Sequence, residues 1–141
     1  MLKLLVVYLS ITGQTRKFVH KLDYPLLEIT PDSVFTEVQE PYIVVVPTYE
    51  KEATEIVNEF IEVGNNRHYF KGVAGGGNRN FNTLFGFTAK DLARDYQVPL
   101  LHLFEFQGSE NDVNKLKEQV EQLGSTSLKE SSDWSHLLQT Q

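Results

Sequence analysis

Three short stretches carry side chains and backbone suited to holding an anion and a flat ring. The first is Ser10-Ile11-Thr12-Gly13-Gln14-Thr15, directly after an apolar run. Ser10, Thr12 and Thr15 offer hydroxyls, and Gly13 permits a tight turn. With the free amides of a helix start behind them, these groups form an anion cup. No lysine stands at the P-loop position and the full GxxxxGK[ST] pattern is absent, so the loop is not built for a triphosphate and its magnesium. A single terminal phosphate fits it. The competing reading is an N-cap with spare hydroxyls.

The second stretch is Pro47-Thr48-Tyr49-Glu50, where Pro47 ends an apolar strand and Tyr49 is displayed at its mouth. A tyrosine there can stack on a flat ring, or it can be an ordinary surface residue. The third is "GVAGGGNRNF" at 72–81. Consecutive glycines are expensive in chain entropy. Placed after a strand, Gly75, Gly76 and Gly77 let a ligand approach main-chain amides and carbonyls. Asn78 and Asn80 can orient the turn or reach a ring edge, Arg79 supplies positive charge, and Phe81 adds an aromatic. The alternative is a flexible loop. A phosphate cup, an aromatic and a glycine-lined wall on one edge describe a mononucleotide with a flat ring, and FMN is the natural candidate.

These loops must be held by strands and helices that alternate. "LKLLVVYL" (2–9) is a continuous apolar run of strand length, as in a strand buried on both faces. Residues 14–22 read as a helix, "PLLEI" (25–29) as a second strand and "YIVVV" (42–46) as the clearest strand, stopped by Pro47. Ile56, Phe60 and Val63 predict a helix over 52–63. Residues 69–74 read as a strand ending in the glycines. Phe81, Leu84 or Phe85, Thr88 and Leu92 line one face of a helix reaching Tyr96, and "PLLHLFEF" (99–106) is the last strand. Ser109 caps a final helix, with Asp112 at the capping-box position. Val113, Leu116, Val120 and Leu123 form its inner stripe and Gly124 ends it. Alternation of this kind predicts a parallel sheet with right-handed crossovers, here a three-layer, doubly wound α/β sandwich on five strands. Ligands of such sheets bind beyond the carboxyl ends of the strands, near the switch point, which is where all three stretches fall. Residues 1–124 then form the domain. Residues 125–141 are a polar tail in which Trp134, Leu137 and Leu138 share a helical spacing that could dock on this domain or a partner. A frayed tail is the other reading.

The bulk numbers agree. The chain has 141 residues, one domain's worth, with 40% hydrophobic content and a net charge of −6. That charge argues against a general nucleic-acid surface. There is no cysteine, which removes catalytic thiols, disulfides and thiolate metal sites. It also fits a reducing compartment. The run Leu4–Leu9 is too short to cross a bilayer. A cytoplasmic protein with no membrane association is expected. His20, His68, His102 and His136 are scattered without ligand spacing. A phosphorelay receiver is disfavoured because Pro47, not aspartate, follows the strand 42–46, and a phosphatase of this topology would need a cysteine nucleophile.

Several ordered blocks resemble the NrdI family of flavodoxin-like proteins, from the first strand to Leu123. "SITGQTRKF" is similar to the family's S-x-T-G-N-x-x-R-F segment through Ser10, Thr12, Gly13, Arg16 or Lys17, and Phe18. "EPYIVVVPTY" (40–49) resembles its third strand and flavin loop. "GVAGGGNRNF" resembles its most specific block, G-V-x-x-S/G-G-N-R-N-F/W. "VPLLHLFEFQG" (98–108) resembles V-P-x-L-x-x-F-E-L-x-G, with Asp112-Val113 following. Ordinary flavodoxins share the first loop but not the "GNRNF" block. The resemblance implies a flavodoxin-like fold and noncovalently bound FMN. It also implies a partner, the small radical-bearing subunit of class Ib ribonucleotide reductase, and a donor that reduces the flavin. Family members hand that subunit electrons, or use reduced flavin and oxygen to make an oxidant for it. In many of them the oxidant helps assemble a manganese–tyrosyl radical cofactor. The chain departs from the pattern after Thr48-Tyr49, where a glycine-rich loop is replaced by "EKEATEIV" with Glu50, Glu52 and Glu55. Acidic groups near the ring would disfavour a negatively charged reduced flavin.

Two other functions use the same features. A general one-electron carrier would use the acidic surface to dock a basic reductase. A non-redox interaction module would keep the fold with a degenerate site.

Overall fold

A computed structural model describes residues 4–78 and 85–137, with side chains as far as 123. Five strands form one parallel sheet: β1 (Leu5–Tyr8), β2 (Leu26–Glu28), β3 (Tyr42–Val46), β4 (Phe70–Gly77) and β5 (Leu100–Glu105), in the order β2-β1-β3-β4-β5. The helices are α1 (Gln14–His20), α2 (Lys51–Ile61), α3 (Asn66–Tyr69), α4 (Phe87–Tyr96) and α5 (Glu110–Leu137).

The apolar runs are unbroken because β1 and β3 are covered on both faces. Leu5, Val7, Val44 and Val46 pack with Val57, Phe60 and Ile61 of α2 and Ala89 and Leu92 of α4. Val6, Tyr8, Ile43 and Val45 pack on the other side with Phe18 and Val19 of α1 and Val113, Leu116 and Val120 of α5. Strand alternation sends neighbours to opposite faces, so three layers follow. Phe18 and Phe104 stack at 3.8 Å between ring centres, locking α1 to β5.

The order reverses between β1 and β3. From β1 the chain runs to α1 on one face; from β3 it runs to α2 on the other. The loops after these two strands diverge and leave a crevice at the carboxyl edge.

Four elements differ from the sequence expectation. β4 does not stop at Ala74: Gly75 pairs with Val46 and Leu103, Gly76 with Phe104 and Gly77 with Glu105. Ladders on both sides at Gly75, and the β5 ladder alone at Gly76 and Gly77, hold the glycines extended despite their weak intrinsic strand preference. A one-turn helix, α3, stands between α2 and β4, where none was expected. α4 begins at Phe87, after a left-handed Gly86; the expected contribution of Phe81 and Leu84 lies outside the described residues. α5 runs through Gly124 to Leu137 instead of ending there. A glycine costs a helix interior only about 1 kcal/mol, which continued i→i−4 bonding can absorb. Its start is as expected. The Ser109 amide donates to Asp112 Oδ2 at 2.8 Å and the Asp112 amide to Ser109 Oγ at 3.1 Å, a reciprocal capping box. No helix among the described residues is long and apolar enough to cross a membrane.

Candidate functional site

The loop after β1 is shaped by Gly13. Its φ of 94° is left-handed and it caps α1, while a Cβ there would meet nothing within 4 Å. Glycine is needed for the dihedral, not for space. The Ser10 hydroxyl turns inward and accepts from the Arg16 amide at 3.3 Å. Arg16 sends its guanidinium sideways into an ion pair with Glu28 at the end of β2. The Tyr8 hydroxyl donates to the same carboxylate at 3.1 Å. The Arg16 hydrogen bond holds the Glu28 carboxyl below its ordinary range, against the opposing effect of burial. Burial, together with the Glu28 charge, pushes the Tyr8 hydroxyl up. One side of the loop is thereby anchored, leaving Thr12, Gln14 and Thr15 facing the crevice.

Threonines brace the other loops. Thr48 Oγ1 donates to the Gly76 carbonyl at 2.7 Å and accepts from the Gly86 amide at 3.1 Å, tying the end of β3 to β4 and the start of α4. Thr88 Oγ1 accepts from the Tyr49 amide and donates to the Tyr49 carbonyl, both at 3.3 Å. These bonds set the backbone from which the Tyr49 ring projects. The Phe106 amide donates to the Gly77 carbonyl at 3.0 Å, continuing the β4–β5 ladder past its last paired residues.

The glycine run answers to protein neighbours. A Cβ on Gly75 would lie 2.5 Å from Ala89 Cβ on α4. On Gly76 it would lie 2.7 Å from the Phe104 ring, and on Gly77 2.9 Å from Thr48 Oγ1. A Gly76 side chain would thus run into Phe104, within the core on the α1 and α5 side. Gly75 is sealed beneath α4. Gly76 and Gly77 reach the crevice through their backbone.

The crevice has a volume of about 530 Å3, within the range of small-ligand sites. It brings together Thr12, Gln14 and Thr15 from the first loop, Thr48 and Tyr49 from the second, and Gly76, Gly77 and Asn78 from the third. Ser10, Ile11, Gly13 and Gly75 do not line it, and Arg79 and Phe81 lie outside the described residues. Two lining residues, Phe87 and Phe106, escaped the sequence reading, while Pro47 and Glu50 come from the second stretch but were not among its candidate ligand-binding residues. Phe106 had a signal, a bulky apolar residue just before Gln107-Gly108; the expected strand 99–106 ends at Glu105, and Phe106 lies in the turn that follows. Phe87, directly after Gly86, had none. Of the three acids in "EKEATEIV" only Glu50 lines the crevice. Glu52 and Glu55 are exposed on the first turns of α2, so this segment is a helix start and not a loop.

Three kinds of group share the lining. The loop after β1 brings the hydroxyl and amide groups of Thr12, Gln14 and Thr15, suited to a phosphate. Tyr49, Phe87 and Phe106 supply aromatic surface, and the β4 backbone supplies amides and carbonyls. That donor set fits a flavin mononucleotide. Among the described residues no group of three or more acidic or histidine side chains could hold a metal ion. His102 is engaged with Asp112, Nε2 to Oδ1 at 2.8 Å.

A parallel sheet of this order with an aromatic-walled crevice at its switch point defines a flavodoxin-like protein. A solved short-chain flavodoxin associated with a PDU bacterial microcompartment has the same fold, with a TM-score of 0.60 at 21% identity over 89% of this chain and 99% of that one. Residues 6–118 match the family described as NrdI flavodoxin like. Protein NrdI of Bartonella henselae is 38% identical over 123 residues, 84% of this chain and 93% of that protein. The chain belongs to the NrdI flavodoxin-like family. A flavin-binding redox role comes with that membership.

Proposed function

We propose that the chain binds FMN in this crevice and serves the small, radical-bearing subunit of class Ib ribonucleotide reductase. It gives that subunit electrons, or an oxidant made from reduced flavin and oxygen, after a separate donor has reduced the flavin. The observation that carries the reading is a single crevice lined both by Thr12, Gln14 and Thr15 of the loop after β1, with no lysine among its lining residues, and by the aromatic residues Tyr49, Phe87 and Phe106, in a chain of the NrdI family.

Bound FMN supplies the electron chemistry; the chain supplies position and electrostatics. Thr12, Gln14 and Thr15 hold the phosphate, on a loop whose shape Gly13 and Ser10 fix. Tyr49 lies against the ring, its backbone clamped by Thr88. The Gly76–Asn78 main chain faces the polar edge of the ring, and Thr48 keeps that segment in place. Glu50 is the one acid on the crevice wall from its segment, so the electrostatic penalty on a reduced, negatively charged flavin is smaller than three acids would impose.

Titration with FMN and with riboflavin tests the site. Thr12→Ala removes a hydrogen bond to an anion, a charge-assisted contact worth roughly 1.5–3 kcal/mol. It should weaken FMN binding at least about tenfold and leave riboflavin binding nearly unchanged. Equal weakening of both ligands would remove the phosphate assignment. For the partner, the reduced, FMN-loaded protein is mixed with oxygen and the manganese-loaded small subunit, and the tyrosyl radical is counted by electron paramagnetic resonance. No radical above the level given by free reduced FMN would refute the dedicated role.

A further inference from the structure

Phe106 occupies a conformation that its surroundings in the protein do not explain. Its φ is 53°, in the left-handed region. It is the first central residue of a four-residue turn closed by the Gly108 amide on the Glu105 carbonyl at 2.8 Å. A turn with positive φ at that position ordinarily takes glycine, and a bulky residue there is an outlier. The ring does not recover the strain by burial, since Phe106 is 53% exposed. Its partner two residues back, Phe104, is fully buried against Phe18. Phe106 therefore lacks both usual reasons for an aromatic, a turn that requires it and a core that buries it. What the conformation achieves is an aromatic residue lining the crevice, its backbone tied to the glycine wall by the hydrogen bond that its amide donates to the Gly77 carbonyl.

We propose that Phe106 is a flavin-ring binding residue, the aromatic wall on the β5 side of the crevice, which becomes buried when the flavin enters. The proposal rests on the flavin-binding reading above and adds a contact to it. Backbone strain kept at a ligand site is a recurring arrangement, and here the aromatic face is displayed before the ligand arrives. A contact with the ring, and not with the phosphate, affects FMN and riboflavin alike.

Phe106→Gly and Phe106→Leu variants test this, with thermal unfolding of the flavin-free protein, affinities for FMN and riboflavin, and quenching of flavin fluorescence as readouts. Phe106→Gly relieves the strain, so the flavin-free protein should melt at or above the wild-type temperature. Its affinity for both flavins should fall about tenfold, by the same factor, with brighter bound-flavin emission. Phe106→Leu, which keeps apolar surface without the ring, should fall in between. Wild-type affinity and quenching in Phe106→Gly would overturn the assignment while leaving flavin binding intact. So would a loss confined to FMN, or a large drop in melting temperature with unchanged affinity in Phe106→Leu. A wild-type protein that takes up neither flavin would overturn the underlying reading, and this proposal with it.

Discussion

Gly75→Ala is the smallest change that tests how the crevice is built. Gly75 sits in β4 between Val46 of β3 and Leu103 of β5. The added methyl would lie 2.5 Å from Ala89 Cβ and 3.3 Å from Leu103 Cδ2. Carbon atoms rest at about 3.5–4.0 Å, so α4 must retreat by about 1 Å. Leu103 can rotate away, but the Ala89 methyl has no rotamer to change. Overpacking of this kind costs about 2–3 kcal/mol, which is roughly 6–10 °C of melting temperature for a domain of this size. The retreat also draws Thr88 from Tyr49, whose two bonds to it are already 3.3 Å long. Ala89→Gly alone should cost about 2 kcal/mol, from helix propensity and a lost buried methyl. Moving the methyl across the interface, in Gly75→Ala with Ala89→Gly, removes the clash and leaves mainly the propensity cost of about 1 kcal/mol. Simple addition of the single variants would give about 4–5 kcal/mol instead. Urea unfolding followed by circular dichroism separates the two totals. A double variant as unstable as the sum would refute the claim that Gly75 exists to admit α4.

Asn66→Ala should destabilise by about 3 kcal/mol, because it strands the Val38 amide and the Thr36 and Phe60 carbonyls that the buried carboxamide bonds at 2.8–2.9 Å; the midpoint of a urea melt measures it, and a loss under 1 kcal/mol would refute it. Tyr42→Phe should be neutral or stabilising by about 1 kcal/mol, since the buried hydroxyl has no hydrogen-bond partner among the described residues; a clear loss of stability would contradict this. Asp112 is pushed up by burial, yet the Ser109 amide, the His102 ring and the Ser109 hydroxyl together hold its carboxyl below the usual value. A depressed carboxylate stabilises the fold above its unfolded pKa and loses that contribution as pH falls through its folded one, so Asp112→Ala should flatten the loss of melting temperature below about pH 4. An acid limb identical to wild type would show that Asp112 does not contribute there.

What could be read from the sequence was local. "YIVVV" was legible as β3 to the residue because a run of β-branched side chains buried on both faces has no other good solution. The capping box at Ser109 and Asp112 was legible because both partners lie within four residues. α3 was not. Its single turn is held by Asn66, whose partners Val38, Thr36 and Phe60 come from two other segments. Likewise the hydroxyl spacing at Thr12 and Thr15 pointed to the crevice, whereas Phe87 was hidden, since an aromatic at a helix start reads as core unless the facing loop is known.

The glycine run shows why spacing alone could place a site but not explain it. Glycine in a strand means that something approaches closely, and a ligand and a protein neighbour leave the same mark in a sequence. Alternation along β4 separates them. Gly75 and Gly77 would send side chains to one face, into Ala89 and toward Thr48, and Gly76 to the other, into Phe104. Each direction is already filled by protein, so the three glycines are required before any ligand is considered. Their consequence for the site is indirect. By admitting α4 and Phe104 close to the strand, they bring Thr88 to Tyr49 and set the level at which the Gly76–Gly77 backbone meets the crevice. The wall of the candidate flavin site is the exposed edge of a tightly packed sheet, and its position follows from packing on both faces beneath it.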